Sequence, residues 1–132
     1  MLFRSLRPTR IYVKPIVSVL QAAGNRQQGV IKGIAHITGG AFYEKAPRPL
    51  PKGLRLRIRK GSWPVPRIFQ LIQAGGNVDD REMYRTFNMG VGMILIMKPR
   101  YIKAIQKKLA SYKIKSWVIG EVVKGEKGTE LI

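Results

Sequence analysis

Val91-Gly92-Met93-Ile94-Leu95-Ile96-Met97 is a continuous apolar run with no polar face to offer to solvent. Such a run predicts a central strand buried on both sides. The rest of the chain must then supply amphipathic helices to cover it, and several segments have the right period. After Lys98-Pro99, Ile102, Ile105, Leu109 and Tyr112 fall three or four apart, with Lys103, Lys107 and Lys108 on the other faces. Pro15 suits a first helical turn. Ile16, Val17, Val19, Leu20 and Ala23 follow it mostly on one face, and Gly24 stops the helix. Val65, Ile68, Phe69 and Ile72 make the stripe of a helix from about Pro66 to Ala74, which Gly75-Gly76 ends. Asp79 with Glu82 three residues on resembles a capping box for a short helix to Thr86.

Strand patterns fill the remaining space. Arg10-Ile11-Tyr12-Val13-Lys14, Val30 to Thr38, Ser116 to Val123 and Thr129 to Ile132 all read as extended. Leu54 to Arg59 alternates cleanly, with Leu54, Leu56 and Ile58 on one face and an arginine row on the other. That row predicts a solvent-facing surface, with anion or partner contact as the functional alternative. Asn25 to Gly29 is a polar loop, and Ala41 to Ala46 is a helical turn. Pro47, Pro49 and Pro51 then exclude regular hydrogen-bonded structure. Strands and helices alternate without a regular βαβ repeat, which predicts an α+β fold in which a sheet is layered with helices.

The chain has 132 residues, enough for one domain with a real core. It has no cysteine and one histidine, which excludes thiolate chemistry, Cys-based zinc sites and His-rich metal clusters. No apolar run approaches the roughly 20 residues of a membrane span. Met1 to Arg10 lacks the apolar centre of a signal peptide, so a cytoplasmic location is expected. The formal net charge of +18 invites a nucleic-acid reading. Its lysines and arginines are scattered, however, and the aromatics fall at core-like positions. A basic surface facing solvent or an acidic partner domain is expected instead, and a basic RNA- or anion-binding module is the alternative function.

The stretch with most chemical content is Ile34-Ala35-His36-Ile37-Thr38-Gly39-Gly40-Ala41-Phe42. A strand that stops at Thr-Gly-Gly exposes backbone N–H groups at a tight turn, which suits a phosphate. The alternative is a turn that needs two glycines for geometry alone. His36 is a candidate general acid or base, or a hydrogen-bonded structural residue of its strand. Asn88 could orient a ligand or satisfy turn backbone groups, and the sequence leaves both open. Trp63, flanked by prolines, reads as core or interface packing. There is no P-loop, nucleophile elbow or acidic magnesium cluster, and the seven acids are dispersed. A complete ATP-using site or a metal site cannot be assembled from this chain alone.

Six segments, in order and naturally spaced, carry a resemblance that runs from about Leu6 to the C-terminus. They are Pro8 to Pro15, Gly33 to Gly40, Pro47 to Pro51, Trp63 to Phe69, Arg81 to Gly90, and Trp117 to Gly120. Together they resemble the C-terminal domain of the phosphoribosylformylglycinamidine cyclo-ligase (AIR synthetase) family. The resemblance implies a three-layer α/β/α domain with a mixed sheet over residues 8–132. Residues 1–7 are then an irregular run-in or truncation junction. It implies ATP- and magnesium-dependent ring closure of formylglycinamidine ribonucleotide to aminoimidazole ribonucleotide in purine biosynthesis. In that family an N-terminal domain holds most of the nucleotide and magnesium residues and makes a homodimer. This chain would lack that domain, meet it in cis or in trans, and be inactive alone. The resemblance makes Thr38, Gly39 and Gly40 substrate or phosphate contacts, with Asn88 and Gly90 as further cleft residues and His36 as the catalytic candidate. Two departures stand in the motif: Ala41 where the family has a third glycine, and Lys45 where it has an asparagine.

Overall fold

A computed structural model describes residues 10–22, 30–40 and 42–132. Expectations for residues 1–9, the Gly24 stop, the Asn25 to Gly29 loop and the conformation of Ala41 lie outside the described residues. The elements run α1 (Val13–Ala22), β1 (Ile31–His36), β2 (Leu54–Ile58), α2 (Arg67–Gly76), α3 (Asp80–Thr86) and β3 (Met93–Met97). A short 3-10 turn (Pro99–Tyr101), α4 (Ile102–Ser111), β4 (Gly120–Lys124) and β5 (Thr129–Leu131) follow. The α+β expectation holds. The strands form two sheets: an antiparallel β1-β3 pair, and a mixed β4-β2-β5 sheet with β4 antiparallel and β5 parallel to β2.

The Val91 to Met97 run does work on both faces, but it is not a central strand. Only Met93–Met97 is extended, and among the described residues its one partner is β1. Ile94 and Ile96 pack with the larger hydrophobic cluster, which holds Phe42, Leu56, Ile58, Trp63, Met83 and Tyr84. Leu95 and Met97 pack on the other face with Val19 of α1 and Ile105 and Leu109 of α4. A bulge between Ile31 and Gly33 explains a detail of this arrangement. Ile31 pairs with Met97, whereas Gly33 pairs with Ile96 and Ala35 with Ile94. The extra residue switches the strand's phase. Ile31 therefore joins the α1/α4 cluster while Ala35, of the same parity, joins the larger one.

Several boundaries differ from the sequence expectations. Arg10–Tyr12 is not a strand, and the helix begins at Val13. The Ile16 N–H donates to the Tyr12 carbonyl at 3.0 Å, and Pro15 sits in the first turn, where an N–H has no helical partner anyway. β1 ends at His36, two residues before Thr38. Helix α2 runs through Gly75 and Gly76, and it stops at Asn77, whose φ of 47° gives the left-handed cap. None of α2 is fully buried, and Leu71 is 51% exposed, so its apolar stripe only lies against the core. Residues 116–119 are irregular, and the strand there is confined to Gly120–Lys124. The arginine row of β2 is half-buried at Arg55 and Arg57. Arg57 and Arg59 meet carboxylates, with Arg57 Nε 3.1 Å from Glu130 and Arg59 3.8 Å from Glu121.

The larger cluster is built on aromatic contacts. Phe42 is fully buried, stacks on Trp63 at 6.0 Å and meets Tyr84 edge-on at 5.5 Å. Trp63 and Tyr84 close the triangle at 6.3 Å. Each ring brings a large apolar area out of water and adds geometry-specific attraction. Phe42 comes from the segment after Gly40, Trp63 from the proline turn before α2, and Tyr84 from α3. The triangle therefore fixes these three regions relative to one another.

Candidate functional site

The Thr38-Gly39-Gly40 turn leaves β1 beside the segment that leads into β3. The Ile37 N–H donates to the Gly92 carbonyl at 2.9 Å, which extends the β1-β3 pairing past the last strand residue. At Gly39 an added Cβ would lie 3.2 Å from the Thr86 carbonyl, so the turn rests on the C-terminal end of α3. Gly40 has φ of 73°, a left-handed conformation that favours glycine. Its carbonyl accepts from the Glu44 N–H at 3.2 Å, which curls the chain back towards Lys45. Lys45 Nζ then donates to Thr38 Oγ1 at 2.5 Å, and both side chains are half-buried. Sequence reasoning singled out Lys45 only as a substitution. Its position seven residues after Thr38, across a glycine turn, was the available signal.

His36 is exposed at the end of β1, opposite Met93. Its ring lies 6.1 Å from that of Tyr12 in an edge-on arrangement. Among the described residues no hydrogen bond joins it to Thr38, Lys45 or Asn88.

Asn88 and Gly90 both act within their own turn. Asn88 Oδ1 accepts from the Gly90 N–H at 3.1 Å, and its carbonyl accepts from the Val91 N–H at 2.9 Å. Gly90 has φ of 91°, and a Cβ there would sit 2.5 Å from Pro66 Cδ. Glycine is required by that contact alone. Trp63 Nε1–H donates to the Met89 carbonyl at 2.9 Å and ties the turn to the aromatic triangle.

The structure thus brings Thr38, Gly39, Gly40 and Lys45 into one corner and holds Asn88–Gly90 on the neighbouring segment. It does not put all of them around one cavity. A cleft of about 710 Å³ lies between β3, α4 and residues 113–122, and Tyr12, Gly90 and Gly92 reach its wall. His36, Thr38, Gly39, Gly40 and Asn88 do not line it. Beside the glycine corner, burial pushes the Tyr43 phenol above its ordinary value, and the Arg81 guanidinium carbon sits 5.8 Å from its ring centre.

A protein holds magnesium through carboxylates that converge. Among the described residues no three His, Asp or Glu side chains are grouped so as to hold a metal ion. The described residues do not by themselves fit that ion. Among the described residues no helix is long and apolar enough to cross a membrane.

Comparison with known proteins gives one consistent picture. Residues 4–132 match the family described as AIR synthase related protein, C-terminal domain. The phosphoribosylformylglycinamidine cyclo-ligase of Caldicellulosiruptor bescii is 52% identical over 126 residues, covering 96% of this chain and 35% of that protein. Those of Pseudothermotoga lettingae and Geobacter metallireducens are each 46% identical, covering 93% and 96% of this chain and 34% and 35% of their own length. The chain therefore spans about a third of the length of the curated relatives it matches. With its matching segments, its α+β elements and this near-complete coverage, the chain belongs to the AIR synthase related protein family, as a C-terminal domain of that family.

Proposed function

We propose that this chain is the C-terminal part of a phosphoribosylformylglycinamidine cyclo-ligase, the ATP-dependent enzyme that closes the imidazole ring of aminoimidazole ribonucleotide. The observation that carries the reading is 52% identity over 96% of the chain to a cyclo-ligase. On this reading residues 8–132 form the domain and residues 1–7 a run-in. ATP and magnesium are held mostly by an N-terminal domain supplied in cis or in trans, and the assembled enzyme is a homodimer working in the cytoplasm. The two sheets form the middle of a three-layer α/β/α arrangement. In support, α1 and α4 share one cluster on one face of β1-β3, while Phe69 of α2 and Met83 and Tyr84 of α3 pack with the other.

The chain's own residues have limited and definable parts to play. The substrate is a ribose phosphate, and its phosphate needs fixed donors so that the reacting atoms stay in near-attack geometry. Thr38 and the Gly39 and Gly40 backbone provide such donors at the end of a strand. His36 is exposed beside this corner, within reach of a ligand bound there, and is the candidate general acid or base. Asn88 and Gly90 shape the neighbouring wall. Removing the formyl oxygen requires its activation, a step assigned on this reading to the ATP held mostly by the N-terminal domain.

The test is ATP-dependent formation of aminoimidazole ribonucleotide by the purified chain alone, and by the chain mixed with the N-terminal part of the C. bescii relative. The expected result is no turnover alone and turnover in the mixture above that of either part. Turnover by the chain alone overturns the division of the active site proposed here.

A further inference from the structure

We propose that Lys45 makes the corner after β1 a phosphate-monoester site, with the Lys45 ammonium and the Thr38 hydroxyl as its side-chain anchors. This rests on the reading of the Thr38–Gly40 turn as the substrate wall and names the residue that this chain adds to it.

Lys45 is a half-buried cation without a counter-ion. All seven acidic residues of the chain are Glu44, Asp79, Asp80, Glu82, Glu121, Glu126 and Glu130, and each belongs to the described residues. The four ion pairs within 4.0 Å join Arg57, Arg59, Lys60 and Arg85 to Glu130, Glu121, Asp80 and Glu82. None involves Lys45. Its recorded polar partner is neutral, the Thr38 hydroxyl. Partial desolvation of a charge against a neutral partner is unfavourable, and an anion at the same place offsets it.

The donors around that place remain available. An ammonium carries three N–H groups, and one is engaged by Thr38. The Thr38 oxygen accepts from Lys45, so its own O–H is left to donate elsewhere. Among the described residues neither the Gly39 nor the Gly40 N–H has an acceptor. Four groups that can only or most readily donate thus occupy one turn, and a phosphate oxygen set is the ligand chemistry that takes several donors at once.

One neighbour opposes this. Glu44 Oε2 lies 3.4 Å from the point where a Cβ on Gly40 would be. Glu44 is exposed, and its carboxylate competes with an incoming phosphate for the same donors. Neutralising it is therefore a second, independent probe of the site.

The experiment is a backbone amide NMR titration of the full chain with ribose 5-phosphate, inorganic phosphate and, as a neutral control, ribose. Wild type, Lys45→Gln, Lys45→Arg and Glu44→Gln are compared, and the spectra themselves report whether each variant is folded. The expected result is saturable shifts at Thr38, Gly39, Gly40 and Lys45 with both phosphates and not with ribose. Lys45→Gln weakens binding about tenfold, the loss expected for one charge-assisted hydrogen bond. Lys45→Arg retains most of the affinity, and Glu44→Gln tightens it. If the turn shifts but Lys45→Gln binds as wild type does, the role of Lys45 is overturned while the turn remains a substrate wall. If phosphate moves no amide of the turn, the site is overturned. The mixing experiment on product formation still decides the proposed function separately.

Discussion

Replacing Trp63 by phenylalanine should loosen the segment that holds Asn88 and Gly90. Trp63 is 4% exposed, and its indole N–H donates to the Met89 carbonyl at 2.9 Å inside the core. Phenylalanine keeps an aromatic ring for Phe42 and Tyr84 but has no donor. A buried carbonyl left without its partner costs about 1–3 kcal/mol, and the smaller ring leaves a void worth about 1 kcal/mol more. The sum is a loss of about 2–4 kcal/mol, a large share of the 5–15 kcal/mol typical of a domain. With the usual urea dependence, the midpoint should fall by about 1–2 M. Hydrogen exchange adds a local reading. The Gly90 and Val91 amides, which donate to Asn88, should lose protection more than those of β2. A midpoint loss equivalent to less than about 0.5 kcal/mol, the scale of an uninvolved surface change, refutes the argument that this bond fixes the turn.

Other perturbations test other parts of the structure. Gly90→Ala should destabilise more than a surface change, because φ is 91° and the new methyl meets Pro66 at 2.5 Å; thermal unfolding reads it. Asp79→Ala should cost about 1 kcal/mol by removing the cap that accepts the Glu82 N–H at 3.0 Å, visible as a lower urea midpoint. Alkaline pH should weaken the fold. The hydrogen bond to Asp80 raises Lys60 above 10.5, and burial raises Tyr43 and Tyr84 above 10.0. The unfolded chain therefore releases these protons first. Stability is full below about pH 10 and falls above it, so urea midpoints at pH 8 and pH 11 should differ in that direction. An RNA titration over a range of salt should give only weak binding despite the charge of +18; tight, steeply salt-dependent binding favours the basic RNA-binding alternative.

The sequence was most readable where a pattern had a single physical solution. Asp79 capping α3, the alternation of Leu54, Leu56 and Ile58, and the 3.6-residue stripe of α4 all recur in the structure. It was misleading where propensity and packing disagree. Arg10 to Lys14 is rich in strand formers, yet the chain enters a helix there. Gly75 and Gly76 look like a stop, yet Asn77 takes the left-handed position instead. The apolar Val91 to Met97 run packs on both faces as expected, but only Ile94 of β3 is buried, and an apolar run carries no information on how many strands lie beside it. At the candidate site, the glycine turn was legible from Thr38-Gly39-Gly40. The Lys45–Thr38 contact was not, because it depends on how the chain after Gly40 curls back. Asn88 and Gly90 were legible as special residues, and the structure accounts for both through their own turn and Pro66.

The central claim is that this chain supplies the C-terminal part of a cyclo-ligase active site. A chimera tests it most directly: residues 8–132 replace the corresponding segment of the C. bescii cyclo-ligase, and ATP-dependent formation of aminoimidazole ribonucleotide is measured. The expected result is turnover well above that of the relative truncated before this segment, and a marked loss when Thr38 is changed to valine. A folded chimera with turnover no higher than the truncated relative would contradict it.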